Sequence, residues 1–445
     1  MKKLARIIAA ASLLVGLLAT HTPTLAQSVP DPGLLEEINK IRAIDNHAHP
    51  LPALDDGKKD EEFDIADSIP PEALPIRLRL NNSEYLAAWK DLYGYPHSDF
   101  SDAHLRELLD TKRRIKREKG DAYPAWVLDK LGTDVMFSNR FLMGKGLTAP
   151  RFRWVWHANP LLFPLNNDAI RKANPQRDED FGTEERWLKR FMEEMKVSAL
   201  PASLDDYLGK VVIPLLEARQ RAGVPAVKFY AAYLRSLDFA DVPESEARVI
   251  YGKYAAGGIP DAAEYKKLQD YLFRRIALEC KRLDIAVHIH VGIGAGGWFH
   301  NSTASPFLLE NVFNTPPLRG TKFVMIHGGL PFAAASRFLL NRENVYLDFS
   351  AQGFLTSTRE LSQVVRSYLE FLPERILFGT DAYPLAHTVG WEEIGWLATR
   401  NARHALALAL TGMMNDGDIT RARAVELARM VLRENAIRLY GIKGL

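Results

Sequence analysis

Cysteine is almost missing from this 445-residue chain, with Cys280 the only one. A single thiol makes no disulfide within its own chain and cannot build a cysteine-rich zinc site. Within "RRIALECKRLD" it falls at helical spacing from Ile276 and Leu283, which is a packing position. An excess of one charge is also missing. Lys and Arg number 57 against 55 Asp and Glu, a formal net charge of +2. No polyanion partner is indicated, so nucleic acid is not expected. The densest basic run, "TKRRIKREKG" (111–120), contains Glu118 and reads as a solvated helix face. No G-x-S-x-G elbow is present, which removes the usual nucleophilic serine arrangement.

Long hydrophobic runs are confined to the start. "MKKLARIIAAASLLVGLLATHTPTLAQ" has basic residues at Lys2, Lys3 and Arg6, an apolar centre from Ile7 to Leu18, and small residues at Thr24 and Ala26. This pattern predicts a signal peptide over 1–26, cleaved after Ala26. The apolar centre is shorter than the roughly 20 residues a spanning helix needs. The expected mature chain, 27–445, is exported to the periplasm or secreted, without stable membrane insertion. A small-molecule substrate is the expected partner, and a homo-oligomer is compatible with the sequence.

What is present is a regular alternation. β-rich runs followed by amphipathic helical stretches occur at "PAVKFYAAY" (225–233), "IAVHIHVG" (285–292), "TKFVMIHGG" (321–329), "ENVYLDFSA" (343–351) and "ERILFGTDA" (374–382). Strands separated by helices of this length pair in parallel. Three earlier runs complete a set of eight: "IRAIDNHAH" (41–49), "TDVMFSNRFL" (133–142) and "RFRWVWHA" (151–158). The expected fold is an α/β (β/α)8 TIM barrel, with a doubly wound sheet as the alternative. The stretch 51–130 is too long for a simple connection and is expected to form a helical cap inserted after the first strand. Residues 159–205 look like a smaller excursion after the third.

Polar residues recur at the carboxyl ends of these strands, where a barrel of this kind assembles its chemistry. The first run ends in His47 and His49, which alternation points the same way. The fourth carries Lys228, the fifth His288 and His290, the sixth ends in His327 and the eighth in Asp381. One strand-end histidine is usually structural, and a lone aspartate often caps the next helix. Histidines on three strands, joined by an aspartate and a lysine, point instead to a shared divalent ion, since imidazole and carboxylate suit zinc, manganese or iron. Tyr233 and Arg235 after the fourth strand, and His157 at the end of the third, are candidate substrate contacts. The Arg235 guanidinium could meet a carboxylate bidentately. Packing or surface roles explain each of these three equally well.

The blocks "DNHAH", "VKFYAAYLRSLD", "HIHVGIG", "MIHGG" and "LFGTDA" resemble the amidohydrolase superfamily, specifically its amidohydrolase-2 type. The fourth- and fifth-strand blocks, with "RENAIRLYG" (433–441), resemble the branch of nodulin-like proteins and of amidohydrolase domains fused to glutamine-synthetase-like enzymes. The likeness spans roughly 40–441 and is strong only in these blocks. It implies His47, His49, His290 and His327 as metal ligands, and Asp381 as both a ligand and the catalytic proton carrier. It implies one or two divalent ions, zinc being the expected element. In binuclear members the fourth-strand lysine is carboxylated and bridges two ions, so a carboxylated Lys228 is one implied role. An ammonium holding a substrate carboxylate is the other. His288 lies deeper and is expected in a core or supporting role.

The activity these residues imply is hydrolysis of an amide (C–N) or ester bond by metal-activated water. The alternatives are a metal-dependent decarboxylase on the same barrel, or a binding protein that keeps its metal without catalysis.

Overall fold

The computed structural model describes residues 29–54, 60–63, 73–294, 296 and 298–444. The expected signal peptide, 1–26, lies outside them. Among the described residues no helix is long and apolar enough to cross a membrane.

Eight parallel strands follow one another around a single sheet in chain order: β1 (Ala43–Ala48), β2 (Thr133–Arg140), β3 (Phe152–His157), β4 (Ala226–Phe229), β5 (Ala286–His290), β6 (Phe323–Ile326), β7 (Val345–Asp348) and β8 (Ile376–Leu377). β8 is short, but the backbone beyond it completes the ring. Asn46 N donates to Phe378 O at 2.8 Å, Asp381 N to His47 O at 2.7 Å and His49 N to Ala382 O at 2.7 Å. The architecture is the (β/α)8 barrel that the alternation of strands and helices predicts, and each of the eight β-rich runs contains one strand.

Period-two alternation sorts the side chains. Ile44, Val135, Val155, Ala226, Ala286, Val324 and Leu377 form one buried apolar cluster, joined by Ala436 and Leu439 of the C-terminal helix Asn435–Tyr440. Two or more residues further along β2 to β5, positions in phase with these turn polar: Asn139, His157, Lys228, His288 and His290; Asp348 ends β7, and Asp381 lies four residues beyond β8. The barrel therefore runs from an apolar floor to a polar rim at the carboxyl ends.

β1 breaks the alternation. Its register against β2 shifts between Asp45 and Ala48. Ala43 and Ala48 both pack outward, into separate clusters, so an odd residue is accommodated between them. Strict alternation would put Ile44 and His47 on opposite faces; the irregularity lets both serve the interior. The Asp45 carboxylate holds this irregular segment. It accepts from His47 N at 3.1 Å, Thr380 N at 2.9 Å and Thr380 Oγ1 at 2.5 Å, and burial pushes its pKa up to about 7.

Between β1 and β2 the helices Glu84–Tyr93, Asp102–Lys119 and Tyr123–Leu131 pack on one another and on the long helix Trp391–Asn415. Trp89, Tyr93 and Tyr95 are buried in that contact. Lys112 Nζ lies 2.7 Å from Glu393 Oε1, and Tyr123 OH donates to Glu392 Oε1 at 2.7 Å. Cys280 is fully buried on the helix Ala262–Arg282, in the main core.

Candidate metal centre

The carboxyl ends of β1, β4, β5, β6 and β8 bring the predicted residues together. His47 Nε2 and His49 Nε2 each lie 3.2 Å from Asp381 Oδ1. His327 Nδ1 lies 3.9 Å from Asp381 Oδ2. His47, His327 and Asp381 each offer a ligand atom within 4.8 Å of the other two. His290 Nδ1 faces His327 Nε2 at 3.2 Å. Lys228 Nζ donates to His47 Nε2 at 3.4 Å. The Asp381 side chain is 16 % exposed, while all four imidazoles and Lys228 are buried.

His327 and Asp381 both adopt left-handed backbone, with φ of 69° and 58°. Such conformations cost a non-glycine residue about 1–3 kcal/mol and persist where the surroundings enforce them. His327 follows β6 directly and Asp381 lies four residues beyond β8, and both side chains reach the shared centre. For Asp381 the enforcing contacts are the hydrogen bonds that close the barrel.

Burial holds the His47, His290 and His327 imidazoles well below the usual histidine range, and the Lys228 charge adds to this in each case. They are neutral rings, which is the state that binds a cation. Proton positions follow from their partners. An ammonium only donates, so His47 Nε2 accepts from Lys228 and its ring proton sits on Nδ1. Asn139 Nδ2 lies 3.0 Å from that Nδ1; two donors cannot share this contact, so the amide is assigned turned over, with its oxygen toward the ring. Its Oδ1, buried and without a hydrogen-bond partner among the described residues, is the atom suited to accept that proton. His290 Nε2 is 2.6 Å from the carbonyl of Ile293 and must donate to it, which leaves a lone pair on Nδ1. A neutral imidazole with one nitrogen donating outward and the other lone pair facing the centre is the arrangement of a metal ligand. The donor set fits a divalent ion.

Other predicted residues are placed differently. His288 sits deeper, its Nε2 2.7 Å from Tyr440 OH, and serves the barrel interior. Tyr233 borders the centre, with its ring 4.7 Å from that of His290. His157 is the register partner of Lys228, and its ring lies 4.6 Å from Tyr230. Arg235, expected as a substrate contact, is corrected by the structure. Its guanidinium donates to Asp270 Oδ1 at 2.5 Å, Gln269 Oε1 at 3.2 Å and the carbonyls of Ser236 and Asp238. It is committed to the helix Ala262–Arg282, because Asp270 and Gln269 present buried acceptors that satisfy it fully.

Several neighbours escaped sequence reasoning. Asp348 and Ser350 stand at the end of β7, with Ser350 Oγ 3.0 Å from His327 Nδ1. The strand-end rule would have found them, since β7 was the strand whose "LDFSA" yielded no candidate. Arg177 and Glu184 come from the excursion after β3. Arg177 lies over the Tyr233 ring, 4.7 Å from its centroid. Glu184 accepts a hydrogen bond from Tyr230 OH, and burial pushes its pKa up to about 8. No local pattern ties these two to the barrel rim. From the segment between β1 and β2, Asp60 Oδ2 pairs with Arg140 Nη2 at the end of β2 at 2.7 Å, and Phe63 meets the His49 ring at 6.5 Å.

A parallel eight-stranded barrel that gathers histidines, an aspartate and a lysine at its carboxyl rim has the architecture of the amidohydrolase superfamily. The chain belongs to the amidohydrolase family, whose sequence profile matches residues 185–442. A curated relative, protein fluG of Emericella nidulans, is 27 % identical over 184 residues, covering 40 % of this chain and 20 % of that protein. The chain thus spans well under half of that relative's length. Among solved structures, a protein of Lactobacillus casei assigned as a metal-dependent hydrolase superposes with a TM-score of 0.61 at 16 % identity, over 93 % of this chain and 98 % of its own. Glucuronate isomerase from Caulobacter crescentus gives 0.60 at 14 % identity, over 96 % and 98 %. Uronate isomerase from Thermotoga maritima gives 0.56 at 13 %, over 95 % and 100 %. Identities this low carry the fold and no particular reaction.

Proposed function

We propose that this chain is a metal-dependent hydrolase that cleaves an amide (C–N) or ester bond of a small molecule, with His47, His49, His290, His327 and Asp381 holding a divalent ion, zinc in the first instance. The observation that supports it most is the convergence of His47, His327 and Asp381 within 4.8 Å, flanked by His49 and His290. When bound, a divalent ion polarises a carbonyl and lowers the pKa of water to about 7.

The protein's own groups then have distinct tasks. Burial keeps the His47, His290 and His327 imidazoles neutral, so they bind without first losing a proton. Asp381, the most exposed of the set, accepts the proton of the attacking water at a carboxylate oxygen and returns it to the leaving nitrogen or oxygen. Tyr233 and His157 border the space where substrate would lie. Lys228 supports two roles. As a carbamate formed with carbon dioxide it would hold a second ion; as an ammonium it would hold a substrate carboxylate.

The test is a panel of p-nitrophenyl esters, p-nitroanilides and aromatic carboxylic acids, assayed before and after chelation and after return of Zn2+ or Mn2+. Ester or anilide cleavage that disappears on chelation and returns with metal supports the proposal. Release of carbon dioxide from the acids without cleavage would replace it with a decarboxylase. Cleavage indifferent to chelation would refute it.

A further inference from the structure

We infer that Ser350 and Asp348, at the carboxyl end of β7, form a positioning relay that fixes which nitrogen of His327 faces the centre; the inference builds on the metal-binding role proposed above.

The Asp348 carboxylate is fully buried and ringed by donors. Ser350 Oγ lies 2.6 Å from Oδ1, His327 N 2.9 Å and Ser350 N 3.1 Å from the same oxygen, and Asn46 Nδ2 lies 2.7 Å from Oδ2. A hydroxyl has one proton. The shortest of its contacts, at Asp348 Oδ1, takes that proton, which leaves only lone pairs on Ser350 Oγ for His327 Nδ1 at 3.0 Å. Nδ1 must therefore carry the ring proton, since its 3.9 Å separation from Asp381 Oδ2 is too long to compete with Ser350, and Nε2 presents a lone pair.

That lone pair points at His290 Nδ1, 3.2 Å away. The Ile293 carbonyl independently sets Nδ1 of His290 as a lone-pair atom. Two unrelated backing groups thus turn two imidazoles so that acceptor faces acceptor. Such a pair is unfavourable by itself and favourable around a cation.

Asp348 also pins the backbone of the same residue. Its Oδ1 accepts the His327 N–H, and Gln352 Nε2 donates to His327 O at 2.9 Å. The left-handed turn at His327 and the tautomer of its ring are therefore set by one carboxylate. The anchorage extends further: Asn46, which donates to Asp348, accepts from Tyr440 OH at 2.5 Å. The relay is tied to the C-terminal helix.

The test uses the full chain with Ser350→Ala, Ser350→Thr and Asp348→Asn. Two readouts are needed: 15N chemical shifts of the histidine ring nitrogens in metal-free protein, and Zn2+ affinity by competition with a chromogenic chelator. Wild type is expected to show His327 protonated at Nδ1. Ser350→Ala should mix the two tautomers and weaken Zn2+ binding about 10–100-fold, the usual effect of losing a group behind a ligand. Ser350→Thr keeps the hydroxyl and should restore both. In Asp348→Asn the amide oxygen keeps the Oδ1 place, where His327 N, Ser350 N and Ser350 Oγ all donate, so the Nδ1–H form should persist, while the amide nitrogen opposes Asn46 Nδ2 and should weaken Zn2+ binding by loosening the relay. A Ser350→Ala protein with the wild-type tautomer and Zn2+ affinity would overturn the inference, as would a wild-type His327 protonated at Nε2. If wild type binds no Zn2+, the metal proposal fails, and the tautomer measurement still decides the relay.

Discussion

Asp381→Asn separates proton transfer from assembly of the centre. The substitution keeps shape and a carbonyl oxygen, so the contacts at 3.2 Å to His47 and His49 can still be made by Oδ1. The backbone hydrogen bond from Asp381 N to His47 O does not involve the side chain, so the barrel still closes. What is lost is the negative charge and the ability to take up a proton. A general base of this kind contributes about 10²–10⁴-fold, equivalent to roughly 3–5.5 kcal/mol of barrel-bound transition-state stabilisation at about 1.36 kcal/mol per decade. The expected outcome is a fall of that size in kcat with bound metal retained. The assay is kcat on whichever p-nitrophenyl ester or p-nitroanilide the wild type cleaves, with metal content measured on the same sample. Turnover within about tenfold of wild type would refute the proton-carrying role. Complete loss of metal would show that the Asp381 charge is indispensable for holding the ion, and the proton-carrying role would then need a variant that keeps the metal.

Metal content per chain, measured after preparation with and without added carbon dioxide, distinguishes the two roles of Lys228: two ions only with carbon dioxide favour the carbamate, and one ion in both cases sinks it. Glu184→Gln should stabilise the protein increasingly as pH rises. The folded carboxyl titrates at about 8 and the unfolded one near 4.3, so wild type binds the extra proton when folded. That contribution to wild-type stability is fully present below about pH 4 and is lost through pH 8 at about 1.4 kcal/mol per unit. Parallel denaturation curves of the two proteins across that range would contradict this sign. Lys112→Met should cost about 3–5 kcal/mol, because it leaves the buried Glu393 carboxylate uncompensated beside Glu392; a loss below about 1 kcal/mol in urea denaturation would show that the pair does little to hold the cap helices to Trp391–Asn415.

The barrel was legible because its strands are short apolar runs at regular intervals, and both their period and their parallel order survive in the chain. The centre was legible for a related reason: a rule about strand ends needs only the strands. His290 and His288 were ranked correctly by depth because alternation is undisturbed in β5. The rule fails where the backbone departs from ideal. The register shift in β1 and the left-handed turns at His327 and Asp381 depend on contacts with Thr380, Asp348 and Gln352 that no local pattern reveals. Arg235 was misjudged for the complementary reason. Its acceptors, Gln269 and Asp270, are more than thirty residues downstream, and nothing in "YAAYLRS" shows that they are waiting. Arg177 and Glu184 reach the rim from an irregular excursion, where sequence period carries no spatial meaning.

The barrel closes where β1 meets the end of β8, and that join supplies His47, His49 and Asp381. The earliest and nearly the latest parts of the folded chain must therefore dock before a complete ligand set exists. A polypeptide halted on the ribosome anywhere short of residue 381 has imidazoles without their acid. If the proposed metal-binding role holds, chains terminated before Asp381 should lack Zn2+ affinity altogether rather than bind it more weakly.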